Sequence, residues 1–140
     1  MTRNIMAGVL ATLWLVSAQA SDLPRTPSPA GAEVYIITPK SGATVSSPVT
    51  VRFGLKGMGI APAGTKKDNT GHHHLLIDGS DLPPDNLPMG AQVKHFGAGQ
   101  TEVSVELSPG EHTLQLILGD ALHIQHDPPV ISERISITVE

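Results

Sequence analysis

Cysteine is absent from this 140-residue chain. That removes disulfide staples, thiolate metal sites and thiol nucleophiles at once. Aromatic residues make up only 3%, so a core must be built mainly from Val, Ile and Leu. The formal charge is −4, with no basic run to grip a nucleic-acid backbone. The catalytic signatures are missing too: no Gly-x-Ser-x-Gly elbow, no His-Glu-x-x-His and no phosphate loop. The one long apolar run, Ile5 to Val16, follows Arg3 and precedes Ala18-Gln19-Ala20. This is the order of a secretory signal, too short for a permanent span, and it predicts cleavage after Ala20. The expected product is a periplasmic or secreted protein with no membrane segment, and one charge unit more negative for losing Arg3.

What is present is histidine, seven of them, with 14 glycines and 12 prolines. Residues 21–32, rich in Pro and Ser, predict a stiff, solvated linker. From Glu33 onward the apolar residues alternate. Val49, Val51, Phe53 and Leu55 form one face, Val103, Val105 and Leu107 another, and Leu114, Leu116 and Leu118 a third. Ile135, Ile137 and Val139 close the chain in the same way. Period two, punctuated by Gly and Pro and with no helical period, predicts a single domain over 33–140. Its expected fold is an all-β, antiparallel immunoglobulin-like sandwich of about seven short strands.

The chemistry centres on Gly71-His72-His73-His74-Leu75-Leu76-Ile77-Asp78. Side chains alternate along a strand, so His72 and His74 share one face and His73 the other. Two imidazoles at i and i+2 can hold one ion. His123 and His126, spaced to meet round one turn, lie in a loop closed by Pro128 and Pro129. Asp127 stands beside them as a carboxylate able to orient a ring from behind. His95 opens a strand that can reach the same end of the domain. His72, His74, His95, His123 and His126 are thus the candidate metal ligands, with Asp127 in support. Copper and zinc both suit neutral imidazole, and such a site is expected to lose its ion as pH falls through about 6.5. His112 shares parity with Leu114 and Leu116 and reads as structural. Met58 and Met89 offer thioethers, a soft copper signature, but gap-filling explains loop methionines equally well. Asp78, Asp81 and Asp85 lack the spacing of a calcium loop and read as turn residues.

Four stretches carry a resemblance: the histidine strand, His95-Phe96-Gly97-Ala98-Gly99-Gln100-Thr101-Glu102, Pro109-Gly110-Glu111-His112-Thr113-Leu114-Gln115-Leu116, and His123-Ile124-Gln125-His126-Asp127-Pro128-Pro129-Val130. With them, the chain from about Val34 to Val139 resembles a family of small secreted bacterial domains catalogued as domain of unknown function 4399. The resemblance implies a secreted β-rich domain and supplies no activity, substrate or ligand set. It also implies proline between the paired histidines, where this chain has Gln125, so a less rigid loop is expected here. Three readings remain open: a metal-binding protein, a non-catalytic immunoglobulin-like module contacting envelope proteins through structural histidines, and a metalloenzyme with an open coordination position.

Overall fold

The computed structural model describes residues 23–140. The expected signal peptide and the first two residues of the expected linker lie outside them. Nine strands run in order: β1 (Glu33–Thr38), β2 (Thr44–Val45), β3 (Val49–Lys56), β4 (Gly59–Ile60), β5 (Thr70–Ile77), β6 (Lys94–His95), β7 (Glu102–Val105), β8 (Gly110–Gly119) and β9 (Ile135–Val139). There is no helix among the described residues, and hence none long and apolar enough to cross a membrane.

The strands form two sheets. One has the order β1-β3-β7; the other runs β2-β9-β8-β5-β4, with β6 added beside β5. The long pairings are antiparallel, as the alternation predicts. Two short ones, β2 with β9 and β4 with β5, are parallel, so the architecture is mixed where all-antiparallel was expected. Both parallel pieces are two residues long, below what hydrophobic periodicity can register.

One core lies between the sheets. Val34, Val49, Val51, Phe53 and Val105 meet Leu75, Leu114, Leu116, Leu118, Ile137 and Val139 there. Cross-strand partners share a face, and the register His73↔Leu118 and Leu75↔Leu116 puts His73 and Leu75 on this inner side. The opposite face of the large sheet carries a second, smaller apolar cluster of Leu76, Met89, Val93 and Ile117. Met89 and Val93 belong to the proline-rich segment 78–93, which folds back over that face instead of leaving it in water. Segment 23–32 likewise departs from the solvated linker that its composition suggests. Ser28 donates to the Asp127 carbonyl at 3.0 Å, and Asp127 donates to the Thr26 carbonyl at 2.9 Å.

Candidate metal centre

β5 begins with three buried imidazoles, and its pleat sends them to two places. His73 enters the core, its ring 5.0 Å from that of Phe53. His72 and His74 face outward from the large sheet, ring centroids 4.7 Å apart. β6 pairs with β5 so that His95 stands directly opposite His74, on the same face, with centroids 5.2 Å apart. The fourth ring comes from the loop after β8. Gly119 ends that strand opposite His72, and the chain turns so that Asp120 donates to and accepts from the Ile124 and His123 backbone respectively.

His123 takes φ 65° in this turn, the left-handed region that costs a residue with a side chain roughly 1–2 kcal/mol. Asp120 holds it there. Its Oδ1 accepts the Leu122 and Ile124 N–H groups at 2.8 and 3.1 Å, and its Oδ2 accepts the Thr26 hydroxyl at 2.7 Å. Two glycines make room for the rings. A Cβ on Gly119 would lie 2.5 Å from His74 Cε1, and one on Gly97 would lie 2.2 Å from His95 Cε1.

One nitrogen from each of His72, His74, His95 and His123 falls within 4.8 Å of the other three. His72 Nε2 is 3.0 Å from His123 Nδ1 and 3.1 Å from His95 Nε2. A ring nitrogen has one in-plane hydrogen or one lone pair, so it can serve one such partner well and not both. Neither His74 nitrogen makes a well-formed hydrogen bond, although both are buried; the Ile117 backbone is the one group that favours its protonated form. Leaving such groups unmet inside a protein is costly. A cation at the centre would take one lone pair from each ring, ending the competition at His72 Nε2 and meeting one of the two His74 nitrogens. Tetrahedral ligands about 2.0–2.1 Å from zinc lie about 3.3 Å from one another, so the two close pairs at 3.0 and 3.1 Å must open slightly and the wider separations, up to 4.8 Å, must close.

The electrostatics favour the neutral form of His72, His74 and His95. Burial above all, then the neighbouring His123 and His95 imidazoles, push His72 down to about 4. Burial and the His72, His95 and His123 rings push His74 down to about 3. His95 is also lowered, by burial and then by His123. Neutral imidazole is the form that binds metal. Asp120, nearly buried, is the carboxylate whose charge reaches His72. The floor of the site, His72 and His74, is buried; His95 is exposed and His123 partly so, which leaves one side accessible to solvent.

The other sequence candidates lie elsewhere. His126 is outside the group of four. Its Nε2 faces the Thr70 carbonyl at 3.1 Å, and its ring packs over Gly71, which has the parity of His73. The His123/His126 pair therefore straddles the sheet instead of closing round one turn. Asp127 does not contact these rings. It is exposed, with Oδ1 3.8 Å from Arg25 Nη1. The carboxylate near the site is Asp120, three residues before His123, whose Gly-Asp sequence signals only a strand end. Gln125, at the position where proline was expected, is buried, and its side chain donates to the Pro83 carbonyl at 2.7 Å.

His112 places one ring nitrogen 2.7 Å from Asp78 Oδ2 and the other 2.8 Å from the Ser108 carbonyl. Both partners are acceptors, so both nitrogens donate, and the Asp78 hydrogen bond followed by the Ser108 one raises its pKa. It is structural. Asp78 also accepts the Thr113 N–H at 2.9 Å, and Asp81 accepts the Ser80 hydroxyl at 3.0 Å, as turn residues do. Met58 packs on the main core. Met89 lies beside His74, for its methyl would also meet a Cβ on Gly119.

Neither a curated protein nor a solved structure matches the chain. The family model described as domain of unknown function (DUF4399) matches residues 51–140, from within β3 to the end, and takes in all four clustered histidines. The match begins later than the resemblance from Val34 suggests, leaving β1 and β2 outside it. With well over half its length covered, the chain belongs to the family DUF4399.

Proposed function

We propose that this protein is a periplasmic or secreted metal-binding protein that holds one copper or zinc ion between His72, His74, His95 and His123. The observation that carries the reading is the convergence of four ring nitrogens within 4.8 Å with both His74 nitrogens unpartnered. Unpartnered nitrogens alone do not make a ligand, since His73 has two of them in the core; what sets His74 apart is the three imidazoles around it. The export reading rests on Arg3, the apolar run to Val16 and Ala18-Gln19-Ala20. The scaffold we read as immunoglobulin-like, on the strength of two sheets around one core.

Both ions accept four neutral imidazoles. Four protein ligands leave a tetrahedral ion no place for substrate, so the reading is metal handling and not catalysis. The exposed side at His95 and His123 gives the ion a way in and out. Because burial keeps His72 and His74 neutral well below the ordinary imidazole range, protons compete for them only in stronger acid. Ion release is therefore expected to lag behind the pH of about 6.5 that free imidazole would set.

X-ray absorption on the purified protein loaded with one equivalent of Zn(II) or Cu(II) tests this. The expected spectrum has about four nitrogen neighbours near 2.0 Å with imidazole multiple scattering. A shell dominated by oxygen, or by one or two imidazoles, would remove the four-histidine site.

A further inference from the structure

Segment 24–28 is the only stretch before the first strand that touches the loops around the histidines among the described residues, and it does so through a dense set of polar contacts. Arg25, its side chain only 19% exposed, donates from Nε to the Gln125 carbonyl at 3.2 Å and from Nη2 to the His126 carbonyl. Its Nη1 reaches Asp85 Oδ2 at 2.8 Å. One guanidinium thereby joins the loop that carries His123 to the segment that carries Met89. Thr26 supplies the hydroxyl on Asp120 Oδ2 at 2.7 Å, and Pro27 bridges to Asp127 in parallel. Beyond them Ser28 donates to the Pro128 carbonyl at 2.6 Å.

We propose that this segment is a strap that preorganises the metal site, with Arg25 and Thr26 as positioning residues for His123; the inference rests on the four-histidine reading above. His72, His74 and His95 are fixed by sheet pairing. His123 is not: it sits in a turn between β8 and the bridge Gly119↔Gln125, in a left-handed conformation its own side chain disfavours. Asp120 imposes that conformation, and Thr26 satisfies the carboxylate oxygen that the turn leaves over. Arg25 takes up two carbonyls just after the turn. Without the strap, Asp120 Oδ2 and the 125 and 126 carbonyls need water, and the turn can relax towards an ordinary backbone. A site competent for only a fraction of the time binds more weakly by that fraction. Lysine cannot replace Arg25, because a point charge does not span three acceptors in one plane.

The test is the rate at which a strong chelator strips Zn(II) from the purified wild-type protein, Arg25→Ala, Arg25→Lys and Thr26→Val. Arg52→Ala serves as a control that breaks an exposed ion pair with Glu102 on the other sheet. Amide exchange of the metal-free proteins is followed in parallel. Arg25→Ala is expected to speed release about tenfold or more, on the scale seen when groups behind metal ligands are removed. Arg25→Lys should recover little of it, Thr26→Val should give a smaller increase, and Arg52→Ala none. Exchange should quicken at Met89 and Ile124 and stay unchanged at Leu75 and Leu116. Wild-type release rates in both Arg25→Ala and Thr26→Val would overturn the strap, as would equal loosening at Leu75 and Leu116. Should Arg25→Ala fail to fold, Thr26→Val decides alone. A wild-type protein that holds no zinc tightly would take the four-histidine reading down as well, whereas tight wild-type binding with unaltered variants sinks only the strap.

Discussion

The two faces of β5 put the same side chain to different uses. On the inner face His73 stands alone among Phe53, Leu75 and Leu118, with neither ring nitrogen hydrogen-bonded. Burial alone lowers its pKa to about 4. On the outer face His72 and His74 are equally buried but meet two more imidazoles, one from the partner strand β6 and one from a strained turn. A buried imidazole by itself is a desolvation cost; four that converge could hold a metal ion. The difference comes from what covers each face, a second sheet on one side and loops on the other.

Replacing one histidine on each face breaks this comparison most sharply. His74→Leu removes a proposed ligand from the floor of the site. Metal affinity is expected to fall by at least about a hundredfold, more than loss of an outer partner costs. His73→Leu should leave affinity unchanged in the same titration. If His73→Leu weakens binding as much, the two faces are not distinct.

Acid probes the burial that both faces share. In the unfolded chain these imidazoles titrate near 6.5; in the folded, metal-free protein His72 and His73 do so at about 4 and His74 at about 3. Between those values the unfolded state binds more protons. Stability therefore falls as pH drops from about 6.5 towards 4, by up to about 1.4 kcal/mol per pH unit for each imidazole. Urea unfolding across that range is the measurement, and a flat profile would contradict the burial assigned to these rings.

A smaller effect sharpens the inner face. His73→Leu exchanges an unsatisfied polar ring for an apolar side chain of similar size, and should stabilise the protein by about 1–2 kcal/mol. It should also remove one imidazole's share of the acid sensitivity. Destabilisation would mean that the His73 nitrogens have partners after all. The smallest effect separates the ions. If the Met89 thioether beside His74 adds a soft donor, Met89→Leu should lower Cu(I) affinity several-fold and leave Zn(II) unchanged. Equal behaviour of the two ions would return Met89 to gap-filling alone.

Much of this was legible in the sequence, and the remainder was not for definite reasons. Alternation along Val49–Lys56, Gly110–Gly119 and Ile135–Val139 names strands and their faces, and parity alone separates His72 and His74 from His73. Parity does not say which loop covers a face. That His95 lies opposite His74, and that Met89 lies beside it, depends on how the proline-rich segment 78–93 folds back, which leaves no period in the sequence. His126 appears equivalent to His123 by spacing, yet the left-handed backbone at His123 sends the two rings to different sides. Arg25 and Thr26 are equally opaque, because their contacts with the loop cross about a hundred residues of chain: Arg25 bonds at a separation of 100 and 101, and Thr26 reaches Asp120 across 94. Composition reads that leading segment as a linker because Pro and Ser say nothing of what they rest on.

The most direct measurement is calorimetric titration of the purified protein with Zn(II), Cu(II) and, under reductant, Cu(I), beside a His72→Ala/His123→Ala variant. The account predicts one tight site at a stoichiometry of one in the wild type, and its loss in the variant. Weak heats spread over several ions, unchanged in the variant, would contradict it.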